Sequence, residues 1–368
     1  MSNPVAWWES LGRPLARLPR WAALAMLALL AVTMAWSAWA VAPVDRAETV
    51  HAASQSNGGD LALYARISER VAAGEPYYAA AMDEQRARNY PTRPFVAVRL
   101  PTMAVLHKLV GVNGVRLLAL LLLLASLAEL HARLAGRVSP PERVAALVML
   151  ALGGAAVAAP QGGLVHELLA GMLLTLAFLL RTPDRWWPSL LLAAMALAVR
   201  ELAMPFVLLW LVFALVERRW REAGAIAALL LLFAGGLYLH YLAVEAQRLP
   251  GDPASQGWAG MVGLALPLMA LSRLTALLVL PKVLAAPLAL LPLLGWLGLG
   301  TRMGLFASLW FAGMFAAMAL FARPENFYWV QLVLPAYFAG LAFAPRALAD
   351  LARRGFGARG FGTGERQP

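Results

Sequence analysis

WWPSLLLAAMALAVRELAMPFVLLWLVFALV, residues 186–216, is the stretch on which the fold turns. As one helix it would run roughly 45 Å at about 1.5 Å per residue, against a bilayer hydrocarbon core of about 30 Å. A single crossing would also put the basic clusters Arg181/Arg185 and Arg218/Arg219 on opposite sides. Two short helices meeting near Arg200-Glu201 and Pro205 keep both clusters on one side. Each arm is then too short to span comfortably. A charged turn between such arms has to be buried in protein or line a wet cavity.

The surrounding chain supports a membrane reading. Of 368 residues, 61% are hydrophobic and only 14% charged, where soluble domains carry about a quarter. The net charge of +11 comes from short basic clusters between apolar runs, the pattern of cytoplasmic loops, so nucleic acid is not an expected partner. The absence of cysteine excludes disulfides, thiolate metal sites and a cysteine nucleophile. Arg13, Arg17 and Arg20 precede an apolar run, Trp21–Val41, of about the length that crosses hydrocarbon. It is too long for the core of a signal peptide, and reads as a retained first span with its amino end in the cytoplasm.

Further spans are expected at Val115–Leu134, Arg143–Ala159, Leu164–Leu180, Ala223–Val244, Val283–Leu299, Met303–Phe321 and Tyr328–Phe343. Trp258–Leu280 contains Pro267 and Arg273 and is expected to be interfacial or re-entrant. The basic clusters at 131–143, 181–185, 218–221 and 346–354 mark the cytoplasmic side. The expected fold class is therefore an all-α polytopic membrane protein of about ten spans, with both termini cytoplasmic. It forms one domain over 1–354, with an amphipathic first periplasmic loop at 43–114 and a disordered tail at 355–368.

The mixed polar groups fall on the outer side of this threading. Asp60 follows Gly58-Gly59 and opens the segment Leu61–Ala73, ahead of Gly74 and Pro76. It is read either as a helix N-cap or as an acid/base group at the membrane surface, and a capping carboxylate is held still enough to be both. Tyr64 lies one turn on and shares its face. Arg200 and Glu201 are read either as a structural ion pair or as contacts to an anionic headgroup. Glu167 complements the start of its helix, with His166 beside it as a candidate ligand. Arg323, Asn326 and Tyr328 precede the last span, where Arg323 either holds a phosphate or snorkels to the interface. No nucleotide-binding loop, zinc-protease motif or nucleophile elbow is present.

Asp60-x-x-x-Tyr64, Gly74-x-Pro76-Tyr77, Arg116 leading its span, Glu167, Arg200-Glu201 and Arg323…Tyr328…Pro335 together resemble the GT-C superfamily of integral-membrane glycosyltransferases. The order is similar to that in bacterial polyprenyl-phosphate-mannose-dependent transferases, protein O-mannosyltransferases and aminoarabinose transferases. The resemblance implies an inner-membrane enzyme with its active site facing the periplasm. Its donor would be a polyprenyl-phosphate sugar and its acceptor a glycan, lipid or protein. Asp60 would be the catalytic base, and Arg323 or Arg200 would meet the phosphate. Two features depart from the relatives. Leu61 stands where some of them have a second acid, and Tyr90-Pro91-Thr92-Arg93-Pro94 replaces the His-Pro-Pro of the O-mannosyl group. No cofactor is expected, and a divalent metal is left open. Two other functions remain in view: a transporter or flippase of lipid-linked sugars, and a non-catalytic membrane scaffold subunit. No inverted repeat favours the first.

Overall fold

Long leucine- and alanine-rich runs leave α-helix as the way to satisfy the backbone without water, and helix dominates the computed structural model. The structure describes residues 3–54 and 59–357. Gly58 of the first-loop motif and residues 358–368 of the expected tail lie outside the described residues. Among the described residues the single β-type pairing is a bridge between Arg93 and Ala254.

The helices in chain order begin with α1 (Pro4–Ser10), α2 (Arg20–Ser54), α3 (Gly59–Ala72), α4 (Tyr77–Ala87) and α5 (Thr102–Leu134). They continue with α6 (Pro140–Gly153), α7 (His166–Leu180), α8 (Trp187–Val199), α9 (Met204–Val216) and α10 (Trp220–Glu245). The remainder are α11 (Ala265–Leu274), α12 (Lys282–Leu288), α13 (Leu291–Gly298), α14 (Arg302–Phe321), α15 (Leu334–Ala339) and α16 (Ala344–Phe356). A 3-10 segment, Pro324–Leu332, joins α14 to α15. Helix α6 starts as its sequence dictates: Ser139 and Glu142 form a reciprocal capping box ahead of Pro140.

Among the described residues four helices are long and apolar enough to cross a membrane: Arg20–Thr49, Phe95–Leu134, Trp220–Glu245 and Arg302–Phe321. A fifth results if Pro324–Leu332 and Leu334–Phe356, bent by 71°, count as one span. This is an all-α, multi-pass arrangement, with fewer full spans than the ten expected. The physical reason is visible in α7. At fifteen residues it is about 22 Å long, and every residue from His166 to Leu179 is buried. A helix that is apolar all round belongs inside a bundle as readily as in lipid, and hydropathy does not separate the two cases. Helices α2 and α10 are the opposite case: only 11% of the most apolar window of each is buried. Trp258–Leu280 likewise contains a short helix, α11, buried from Ala265 to Ser272.

The 186–216 stretch folds as two helices, α8 and α9, joined by a 3-10 turn at Glu201–Ala203. The two far ends come back together. Arg181, just after α7, reaches to 3.7 Å from Glu222, in the first turn of α10, and lies over the rings of Trp210, Phe213 and Phe306. Arg200-Glu201 therefore sits at the opposite end of the bundle from that cluster.

The first loop is narrower than 43–114, because α2 continues to Ser54 and α5 starts at Thr102. Between them α3 and α4 pack Leu63, Ile67, Val71, Ala80 and Met82 into a small core of their own. His107 ties this cap to the bundle, with one ring nitrogen 2.7 Å from the Ser68 hydroxyl and the other 2.9 Å from the Gly163 carbonyl oxygen. At the other terminus α16 runs to Phe356, so the start of the expected tail is helical.

Helix α7 and the 324–332 segment touch backbone to backbone. A Cβ added at Gly171 would lie 2.0 Å from the Gln331 carbonyl oxygen. Gly171→Ala is expected to push these segments apart at a cost of about 1–3 kcal/mol. Gly236→Ala, where a Cβ meets nothing within 4 Å, is the matched control. Thermal unfolding in detergent should show a lowered midpoint for the first variant and none for the second.

Candidate functional site

Five separate elements deliver polar side chains to one place. Helix α3 is assigned from Gly59, with Asp60 in its first turn and Tyr64 one turn further on. Gly74, at φ +103°, lets the chain turn away after the helix. The start of α7 brings His166 and Glu167, and the α8–α9 turn brings Arg200 and Glu201. The 3-10 segment brings Tyr328. The loop before α5 supplies Arg99, its backbone carbonyl held by the Tyr77 hydroxyl at 2.6 Å.

Arg99 connects the group. Its Nε donates to the Tyr64 hydroxyl at 3.0 Å and its Nη2 to the Tyr328 hydroxyl at 3.4 Å. It also approaches Glu167 at 3.7 Å and Glu201 at 3.9 Å. Tyr328 in turn donates to Asp60 Oδ2 at 3.0 Å. A guanidinium behind a phenol strengthens that donor, so the chain Arg99–Tyr328–Asp60 is polarised in one direction. Tyr90, from the same loop as Arg99, lies near enough to Asp60 for its phenol to feel that negative charge. Burial, and then the negative charge of Asp60, hold the Tyr90 phenol above its ordinary value. Tyr64 is pushed up to about 12, chiefly by burial and against the pull of Arg99. Both phenols are therefore donors at neutral pH. A carboxylate has about four lone-pair positions, so the bond from Tyr328 leaves Asp60 able to accept another proton or hydroxyl.

Arg200 lies deeper, at 1% exposure, between two carboxylates. It donates to Glu167 at 2.5 Å and is paired with Glu201. Of the two readings of this pair, the structural ion pair is the one its geometry fits. His166 is buried edge-on against Tyr64, ring centroids 4.7 Å apart, with its Nδ1 lacking a hydrogen-bond partner.

The structure thus brings together Asp60, Tyr64, His166, Glu167, Arg200, Glu201 and Tyr328. It does not bring in Arg323 or Asn326. Arg323 is paired with Gln256 and lies 3.8 Å from Glu325. Asn326 caps the Arg323 backbone amide at 3.2 Å, a local turn contact. Sequence reasoning missed Arg99 and Tyr90. The one signal for Arg99 was a lone charge between Val98 and Leu100-Pro101, ahead of an apolar helix. Among the described residues no group of three or more His, Asp or Glu side chains is arranged to hold a metal ion. Comparisons with family models, curated proteins and solved structures give no match to this chain.

Outside the cluster, Arg86 of α4 clamps Asp252, in the loop after α10, at 2.6 Å. The Asp252 carboxyl is held below its ordinary value, first by that hydrogen bond. A depressed carboxylate stabilises the fold above its unfolded pKa and loses that contribution as pH falls through the folded value. Asp252→Asn should therefore lower the thermal midpoint at pH 7 but progressively less towards pH 3. An equal deficit at both pH values would contradict the clamp.

Removing Arg200 takes the closest cation from the buried Glu167 and the partly buried Glu201, leaving them only Arg99 at 3.7 and 3.9 Å, at a cost of about 3–5 kcal/mol. Arg200→Gln is expected to lower thermal stability sharply, and adding Glu167→Gln and Glu201→Gln should restore much of it. Unfolding midpoints of the single and triple variants check this.

Proposed function

We propose that the chain is a membrane glycosyltransferase that moves a sugar from a polyprenyl-phosphate donor to a hydroxyl acceptor with inversion. The observation that carries the reading is the contact of Asp60 with Tyr328, beside Arg99, at the end of the bundle where short apolar helices meet at charged turns. A carboxylate whose neighbours are phenols, with a guanidinium one bond away, places a base next to a cation. That is the pairing a displacement at a phosphorylated sugar needs.

In the proposed step Asp60 accepts the proton of the acceptor hydroxyl as its oxygen bonds to the anomeric carbon. The bond from that carbon to the phosphate oxygen breaks, and polyprenyl phosphate departs with the electron pair. Arg99 is the preferred cation for the departing phosphate. Its side chain is 16% exposed, whereas Arg200 is closed in by Glu167 and Glu201 and Arg323 is engaged elsewhere. Guanidinium suits this role because it offers two parallel donors to a phosphate. Tyr328 positions the carboxylate, and the ion pair around Arg200 fixes the turn behind Arg99. In this reading the chain is a GT-C-like bundle in a bacterial inner membrane with the cluster on the periplasmic side, where lipid-linked donors are presented.

The test is transfer by purified protein in nanodiscs, with a polyprenyl-phosphate sugar and a mixture of envelope glycans and lipids as acceptors. Asp60→Asn is expected to reduce transfer by about 10²–10⁴-fold, with an unchanged unfolding midpoint. Arg99→Gln should lower turnover as well, and Arg323→Gln should leave it near that of the parent. Full turnover in the Asp60 variant would remove the base from the mechanism.

A further inference from the structure

A concave site outside the cluster has no part in the chemistry above. We infer that the cavity of about 450 Å³ lined by Arg93, Phe95, Tyr241, Glu245, Arg248 and Ser255 binds a sugar unit carrying an anionic substituent. Its description as the acceptor-side subsite rests on the transfer reading; the binding itself does not.

The walls are fixed without a ligand. The Thr92 and Arg93 amides donate to the Pro253 carbonyl at 2.9 and 3.3 Å, and the Ser255 amide donates to the Arg93 carbonyl at 2.6 Å. The Arg86–Asp252 clamp sits just behind this seam. The cavity lies within the range, about 300–1,000 Å³, that small ligands occupy.

Its chemistry is that of saccharide recognition. Tyr241 stands edge-on to Phe95, ring centroids 5.4 Å apart, and Tyr238 stacks beside it at 6.2 Å. Tyr241 lines the cavity and is 38% exposed, so its ring is available to the C–H face of a sugar. Arg248 and Glu245, 2.7 Å apart, present donors and an acceptor together at the rim, as vicinal hydroxyls require. Arg93 adds charge: it lines the cavity, is only partly buried and makes no ion pair among the described residues, so a carboxylate or phosphate on the sugar can meet its guanidinium. Glu245 at the rim disfavours a bare phosphodiester headgroup, which offers no donors to a carboxylate.

The position gives the site a purpose. The single loop 88–101 carries Arg93 and Phe95 on the cavity and Tyr90 and Arg99 in the cluster. A ligand seated against Arg93 therefore bears on the segment that holds Asp60 and its neighbouring cation.

The experiment is ligand-observed NMR titration on protein in phosphatidylcholine nanodiscs, because glycoside detergents would compete. Methyl β-D-glucuronide is compared with methyl β-D-glucoside. The acidic sugar should bind about tenfold more tightly, and Arg93→Gln should erase that difference. Tyr241→Ala, at an exposed ring, should weaken both sugars, and Asp60→Asn should change neither. Equal affinity for the two sugars, or no effect of Arg93→Gln, would overturn the inference. Loss of glucuronide binding on adding phosphatidylglycerol to the nanodiscs would overturn it too, assigning the cavity to lipid headgroups. Loss of transfer in the parent with binding intact would count against the enzymatic reading and not against this one.

Discussion

A buried guanidinium between two carboxylates holds this bundle together at its polar end. Arg200 pairs with Glu167 and Glu201, and losing the guanidinium would leave the buried Glu167 without its closest cation in a low-dielectric interior. The pair fixes the start of α7 against the turn between α8 and α9. Because α7 is also in backbone contact with the 324–332 segment at Gly171, that anchoring extends to Tyr328. Asp60 then meets a phenol whose position has been set by elements distant in sequence. The polar site depends on packing that contains hardly any polar atoms.

The cluster also separates two kinds of charged group that look alike in the chain. Arg200 is a structural cation, enclosed and matched. Arg99 is tied mainly to neutral phenols, with carboxylates at 3.7 and 3.9 Å, and its side chain keeps some exposure. Arginine serves both purposes because it stays protonated in either setting. A charge that has found close carboxylates adds rigidity, while one resting on phenols can turn to an incoming anion.

Much of this architecture was legible in the sequence. The break at 200–205 could be read because an Arg-Glu pair inside an apolar stretch cannot be left in lipid, and the Arg181–Glu222 contact agrees with the hairpin that follows. The pairing of Asp60 with Tyr64 on one face followed from helical spacing. The span count could not be read as well, since α7 and α10 are both apolar helices, one packed on all sides and one facing outward. Arg323 was placed in the site by its neighbourhood in the chain. Its actual partner, Gln256, sits in an irregular loop with no local pattern to announce it. Tyr90 and Arg99 were missed for the same reason: their partners lie on other elements, and nothing periodic in the loop at 88–101 points to them.

The central claim is that Asp60 faces the attacking hydroxyl and Arg99 the departing phosphate of one anomeric carbon. An electron cryomicroscopy map of the protein with a non-hydrolysable polyprenyl-phosphate sugar analogue tests this most directly. The account predicts the phosphate within hydrogen-bond reach of Arg99 and the anomeric carbon on the Asp60 side of it. Density for the phosphate at Arg323 or at the Arg181–Glu222 end of the bundle, with Asp60 still closed against Tyr328 and no sugar beside it, would contradict it.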